Sequence, residues 1–314
     1  MPIKHVVEIM LENHTFDSLF GSLRHADGVP AGTTLVNPDN SFGSAPRVAP
    51  IVAGPNQGSV GGALDNGHAA EQAAMDRRAN GRFAMDGYTQ VPGDGLGRAV
   101  VEDLLRRAAL AAGGLHLGPL PAAGHAGGLV GADQFVSAAA KGTLPSFSFV
   151  RPGFGYSQES PEDLSQGDAW LGQLVKAVMT GADWPSTAVF VTYDEGGGFW
   201  DHVSPRQVDP AGYGTRTPMV VISPYTRPGL ISQTTTNLSV LSFAQHLWGL
   251  APLDQANALG PDLLGDFDFA MPRKLRSCPR SPRPPPCEWP REPATRVGTE
   301  CGRHRLNFSP LLGS

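Results

Sequence analysis

The sequence predicts an α/β sandwich built on a largely parallel sheet. Two observations carry that prediction: short apolar runs of strand length, and amphipathic helical patterns alternating with them. The runs are Ile3–Leu11, Phe147–Val150, Ala188–Tyr193 and Met219–Ser223, all rich in Val, Ile, Phe or Met. The stretch QGDAWLGQLVKAVMTG puts Trp170, Leu171, Leu174, Ala177 and Val178 on one helical face, with Asp168 in the first turn. NLSVLSFAQHLWGL does the same with Leu238, Leu241, Ala244, Gln245 and Trp248.

A chain of 314 residues with 40% hydrophobic content can bury one sizeable core. We expect one main domain over residues 1–271. Residues 90–137 form an atypical segment inside it, Ala/Gly/Arg-rich and without Ser, Thr, Asn or Lys between its ends. Residues 272–314 read as a disordered Pro/Arg-rich tail. A net charge of -5 leaves no basic field, which argues against nucleic acid as a partner. Cys278, Cys287 and Cys301 form no C-x-x-C pair, so spacing supplies no zinc site and at most one disulfide. The opening MPIKHVVEIMLENHTF is interrupted by His5 and Glu8, which reads as a strand rather than a signal peptide. No segment approaches the roughly 18 apolar residues of a membrane span, so a soluble chain is expected.

The chemistry should sit where the strands end. Ile3–Leu11 runs into Glu12-Asn13, and Ala188–Tyr193 runs into Asp194-Glu195. Groups just beyond the carboxyl ends of strands in an open sheet share one crevice, so the two pairs can converge. Three carboxylates and an amide oxygen make a hard-cation set that suits calcium, magnesium or manganese better than zinc. The plain alternative is that these are turn and helix-cap residues. Gly196, Gly197 and Gly198 would let the backbone pass close to a ligand, or simply make a flexible turn. Asp201-His202 can fold back over the crevice as a proton-exchanging pair. His68, in DNGHAAEQAAMD, reads on its own as a helix-start histidine. GDGLGRA at Gly93 follows no strand and earns no nucleotide-binding reading.

The motifs carry a resemblance. IKHVVEIMLENHTFDSLFG resembles the opening block of the bacterial phosphoesterase family of phospholipases C and acid phosphatases, in which a strand enters M-E-N-[RHT]-[ST]-F-D-x-x-F-G. STAVFVTYDEGGGFWDHVSP resembles its later Y-D-E-x-G-G-F-[YW]-D-H-V block, and GYGTRTPMVVISPYTRPG, LGDFDF and MDGY are similar to further parts. The resemblance implies an alkaline-phosphatase-like three-layer α/β/α sandwich that hydrolyses phosphoric esters at a divalent metal, on a phospholipid or a smaller phosphate ester. It implies Glu12, Asn13, Asp194 and Glu195 as metal ligands, His68 beside the substrate phosphate, and Asp201 and His202 as the D-H pair.

Three positions depart from the family pattern. The nucleophile block L-G-P-T-x-P-N-R has only LGPLPAAG as a counterpart, which puts Leu120 in place of the Thr or Ser. Relatives that read Y-S-Q-H are matched by YSQE, with Glu159 for the histidine, and a D-H further on is replaced by Ser232-Gln233. A leucine cannot attack phosphorus, and the lost imidazoles remove positive charge from the phosphoryl group. The rival expectation is therefore an impaired pseudoenzyme that binds metal and phosphate. A shifted reading frame over 90–137 and over the Pro/Arg-rich tail is the other explanation of the departure.

Overall fold

The computed structural model describes residues 1–36, 47–53, 77–78, 82–83, 131–206, 213–253, 260–273 and 309–313. The sheet forms around β1 (His5–Leu11), with β6 (Phe147–Val150) and β7 (Thr187–Tyr193) parallel to it on either side. β8 (Thr217–Ile222) lies antiparallel to β7, and β9 (Ser309–Gly313) antiparallel to β8, giving the order β6-β1-β7-β8-β9. The described sheet is thus open and mixed rather than largely parallel. A parallel return needs a long crossover, usually a helix, and the described residues between β7 and β8 contain none, so β8 comes back antiparallel. Two short antiparallel ladders, β2 (Leu35–Val36) with β3 (Arg47–Val48) and β4 (Arg77–Arg78) with β5 (Arg82–Phe83), stand outside this sheet.

All seven residues of β7 are buried, so the strand reads as a continuous apolar run rather than an alternating one. Alternate positions nevertheless go to different clusters. Val7, Ile9, Leu11, Val189 and Val191 pack with α2 (Ala132–Lys141) and α3 (Leu164–Thr180), through Phe135, Leu174, Val175 and Val178. Val6, Ala188, Phe190, Met219 and Val221 pack with α4 (Ser239–Trp248), through Val240 and Phe243. Each fully buried side chain of this kind contributes about 1.5–3 kcal/mol.

Two helix expectations are corrected. α3 starts at Leu164, ahead of Asp168, because Asp163 caps it by accepting from the Ser165 amide at 2.8 Å. α4 buries the expected Ala244 and Gln245 but adds Val240 and Phe243 and leaves Leu238 exposed, because Phe243 stacks on Phe267 and meets Phe190 edge-on.

Candidate metal and phosphate-ester site

The ends of β1 and β7 are locked in register, with Leu11 opposite Tyr193. One residue on, the Asp194 amide donates to Leu11 O at 3.2 Å, and the Asn13 amide donates to Asp194 Oδ1 at 3.0 Å. Asp194 Oδ1 also accepts from the Glu195 amide at 2.8 Å, while Glu195 Oε2 accepts from the Gly197 amide at 2.7 Å. The structure therefore brings Glu12, Asn13 and Asp194 together, with Glu195 turned onto its own loop. Asn13 holds a left-handed backbone, φ 68°, in which a non-glycine residue is uncommon. It is the pivot between β1 and α1 (Phe16–Phe20), whose N-cap Thr15 accepts from the Ser18 amide.

The glycines serve a different contact from the one expected. A Cβ on Gly197, φ 65°, would lie 2.3 Å from Asn13 O, and one on Gly196 would lie 2.0 Å from Thr215 Oγ1. The loop passes close to protein backbone and side chain, and only glycine fits there.

The donor set suits a hard cation. Burial raises the Asp194 pKa above its ordinary value; the Asn13 and Glu195 amides pull it back, and the charge of Glu12 adds to the rise. Glu159 lies near enough to Glu12, Glu162 and Asp194 to feel their charge. Burial first, and then Glu12, Glu162 and Asp194, push its pKa up to about 7. Arg151 reaches Glu12 Oε1 at 2.5 Å from a side chain that is 59% exposed. These are oxygen donors whose mutual repulsion a positive charge would relieve.

Asp201 and His202 belong to a second group. Asp17, Asp201 and His202 present ligand atoms within 4.8 Å of one another, a group that could hold a metal ion. Arg216 reaches into the same group: its Nε donates to Asp201 Oδ1 at 2.8 Å, and its Nη2 to Asp17 Oδ1 at 3.2 Å. His202 Nδ1 donates to Asp17 Oδ2 at 2.7 Å and Nε2 to Asp27 Oδ1 at 3.1 Å. Burial opposes charge on His202, but the bond to Asp17 and its charge outweigh it, and the pKa is raised. Burial likewise raises Asp201, with Arg216 acting against the rise and Asp17 with it. A metal would have to compete here with a guanidinium already seated on both carboxylates.

Sequence reasoning missed Asp17, Arg216 and His14. His14 is fully buried, its Nε2 donating to Gln158 O at 2.8 Å and its ring stacked on Phe199. Burial lowers its pKa to about 4, with the Gln158 bond acting against it, so at neutral pH it is an uncharged spacer. The neighbouring Glu12-Asn13 pair was the available signal for His14; Asp17 and Arg216 lay within the quoted motif blocks, as the D of F-D-x-x-F-G and the R of GYGTRTP, with nothing in the spacing to pair them. His68 and Leu120 lie outside the described residues. A cavity of about 430 Å³ lined by Gln233, Gln245, His246 and Asp262 shares no residue with either group.

The comparisons agree with the motifs. Residues 122–251 match the family model described as Phosphoesterase family. The non-hemolytic phospholipase C of Burkholderia pseudomallei is 32% identical over 166 residues, 42% of this chain and 24% of that protein. Phospholipase C B of Mycobacterium tuberculosis is 31% identical over 159 residues, 41% of this chain and 30% of that one. The hemolytic phospholipase C of Pseudomonas aeruginosa is 26% identical over 218 residues, 55% of this chain and 30% of that one. The matches thus span under a third of each relative's length. A solved structure, Ps i-CgsB, superposes at a TM-score of 0.36 and 12% identity, over 84% of this chain and 76% of that one, too low a likeness to inform the fold. Family model and relatives together identify what the motifs resemble: this chain carries a phosphoesterase-family segment at residues 122–251.

Proposed function

We propose that this chain hydrolyses phosphoric esters, on a phospholipid or a smaller phosphate ester, with a divalent cation held by Glu12, Asn13, Asp194 and Glu195. The observation that carries this reading is the meeting of Glu12-Asn13 with Asp194 at the ends of adjacent parallel strands, in a chain similar to phospholipases C. Such a cation supplies Lewis-acid polarisation of the phosphoryl oxygens, and calcium, magnesium or manganese suits these donors better than zinc.

The chain's own residues orient the donors. The amides of Asn13 and Glu195 both fall on Asp194 Oδ1 and fix that carboxylate. Asn237 Nδ2 donates to Asp194 O at 2.8 Å and holds the loop from the other side. Asp201 and His202 act as positioning residues, tying the glycine loop through Arg216 to the segment after β1. His68 would stand beside the substrate phosphate, as the motif resemblance implies. The two clusters on alternate strand positions support a three-layer α/β/α sandwich over a domain of residues 1–271, to which the end of the 272–314 segment adds β9 rather than remaining a disordered tail throughout.

Release of p-nitrophenol from p-nitrophenyl phosphate and p-nitrophenyl phosphocholine tests the proposal, with EDTA or added calcium, magnesium, manganese or zinc. Metal-dependent turnover that Asp194→Ala abolishes is the expected result. Turnover retained in Asp194→Ala would overturn the ligand assignment. Metal-dependent thermal stabilisation without turnover would instead identify a cation-binding protein whose chemistry is silent.

A further inference from the structure

We propose that Arg151 binds the phosphoryl oxygens of the ester substrate, an inference that rests on the metal reading of Glu12 and Asp194. Neighbouring parallel strands deliver these groups to one edge of the sheet: Arg151 follows β6, Glu12 follows β1 and Asp194 follows β7.

The backbone on both sides of Arg151 is held. Val150, the residue before it, is buried and lies opposite Ile9 in the β1–β6 ladder. The chain beyond turns back to β1, where the Glu12 amide donates to Ser157 O at 3.0 Å. That return is closed by Glu162, which accepts from the Gly155 and Ser157 amides, both at 2.8 Å.

The guanidinium itself is held lightly. Its Nη2 donates to Glu12 Oε1 at 2.5 Å, the one hydrogen bond of this side chain among the described residues, and the rest of the N–H fork is left for a ligand. The Arg151 side chain is largely exposed and that of Glu12 mostly covered. An ion pair so open to water is weak enough to exchange partners. The basic groups of the second cluster are already engaged: Arg216 is shared between Asp17 and Asp201, and the two ring nitrogens of His202 face Asp17 and Asp27. His14 is buried and uncharged at neutral pH.

Glu12 links Arg151 to the proposed metal. A carboxylate that serves a divalent cation has less charge to offer a guanidinium, so metal binding loosens the pair and frees the planar fork for a second anion. A phosphoric ester brings that anion, with oxygens spaced for two parallel N–H···O bonds. Metal therefore binds first and the phosphoryl group second.

Calorimetric titration of the full chain tests this, with manganese chloride and then, on the manganese-loaded protein, with inorganic phosphate, for the native protein, Arg151→Met and Arg151→Lys. Arg151→Met should weaken phosphate binding at least about tenfold, the loss of a charge-assisted contact. Its manganese affinity should equal or exceed the native value, because a competitor for Glu12 is gone. Arg151→Lys keeps the charge without the fork, should bind phosphate with intermediate affinity, and carries the test if the Met variant does not fold. A fall in both affinities together would assign Arg151 a purely structural role and overturn the proposal. Native phosphate affinity in both variants, or a native chain that binds manganese but no phosphate, would also overturn it and leave the metal reading standing. No manganese binding by the native chain would overturn the metal reading, and this inference with it.

Discussion

Glu8 shows what one residue can set. It lies mid-strand in β1, opposite Phe149 and Phe190, and is 6% exposed. Burial raises its pKa from 4.5 to about 7. Because the folded state holds the proton more tightly, the contribution of Glu8 to stability is greatest below pH 4.5, falls as pH rises toward 7, and levels off above it. Glu8→Gln should match the native chain near pH 4.5 and exceed it at pH 8 by a margin on the order of 3 kcal/mol. Urea unfolding at the two pH values checks this. At Gly197, an added methyl meets Asn13 O and forces a side chain into a left-handed backbone. Gly197→Ala should therefore cost roughly 2–4 kcal/mol, read from the same titrations. The glycine triplet was visible in the sequence as something unusual. Its reason was not, since the partner lies at the end of a different strand.

Elements were legible in kind and less so in phase and direction. Both long helices follow from their apolar periodicity, yet α4 turns Val240 and Phe243 inward beside Trp248 and leaves Leu238, which the pattern placed on that face, exposed. A helix with apolar residues on several sides takes its rotation from its partners, here Phe190 and Phe267. Phe243→Ala should cost about 3–5 kcal/mol, and Leu238→Ala less than about 0.5, in thermal or chemical unfolding. Strand direction was illegible for β8, because an apolar run reads the same either way. The ion group was illegible too: Arg216 and Asp17 are 199 residues apart. Arg216→Met leaves two buried carboxylates without their guanidinium and should cost about 3–5 kcal/mol, a loss that unfolding free energies would register.

At the scale of the whole molecule, the α/β class and the approach of Glu12-Asn13 to Asp194 were both readable, because strand ends in an open sheet share one edge. Glu159 was visible only as a departure from a motif. Among the described residues no helix is long and apolar enough to cross a membrane.

The interior position of β1 sets a timetable for synthesis. Val6 pairs with Phe147 on one side and Ala188 on the other, so neither partner exists when the strand emerges from the ribosome. At about 5–20 residues per second, roughly 7–28 s pass before Phe147 follows Val6 out. Over that interval an apolar strand has two open edges, the condition that invites pairing with other chains. Ribosome-arrested chains ending before residue 147 should be cut readily by protease and captured by chaperones, and those extending past residue 250 should be protected. Equal protection at both lengths would show that β1 finds shelter before its native neighbours arrive.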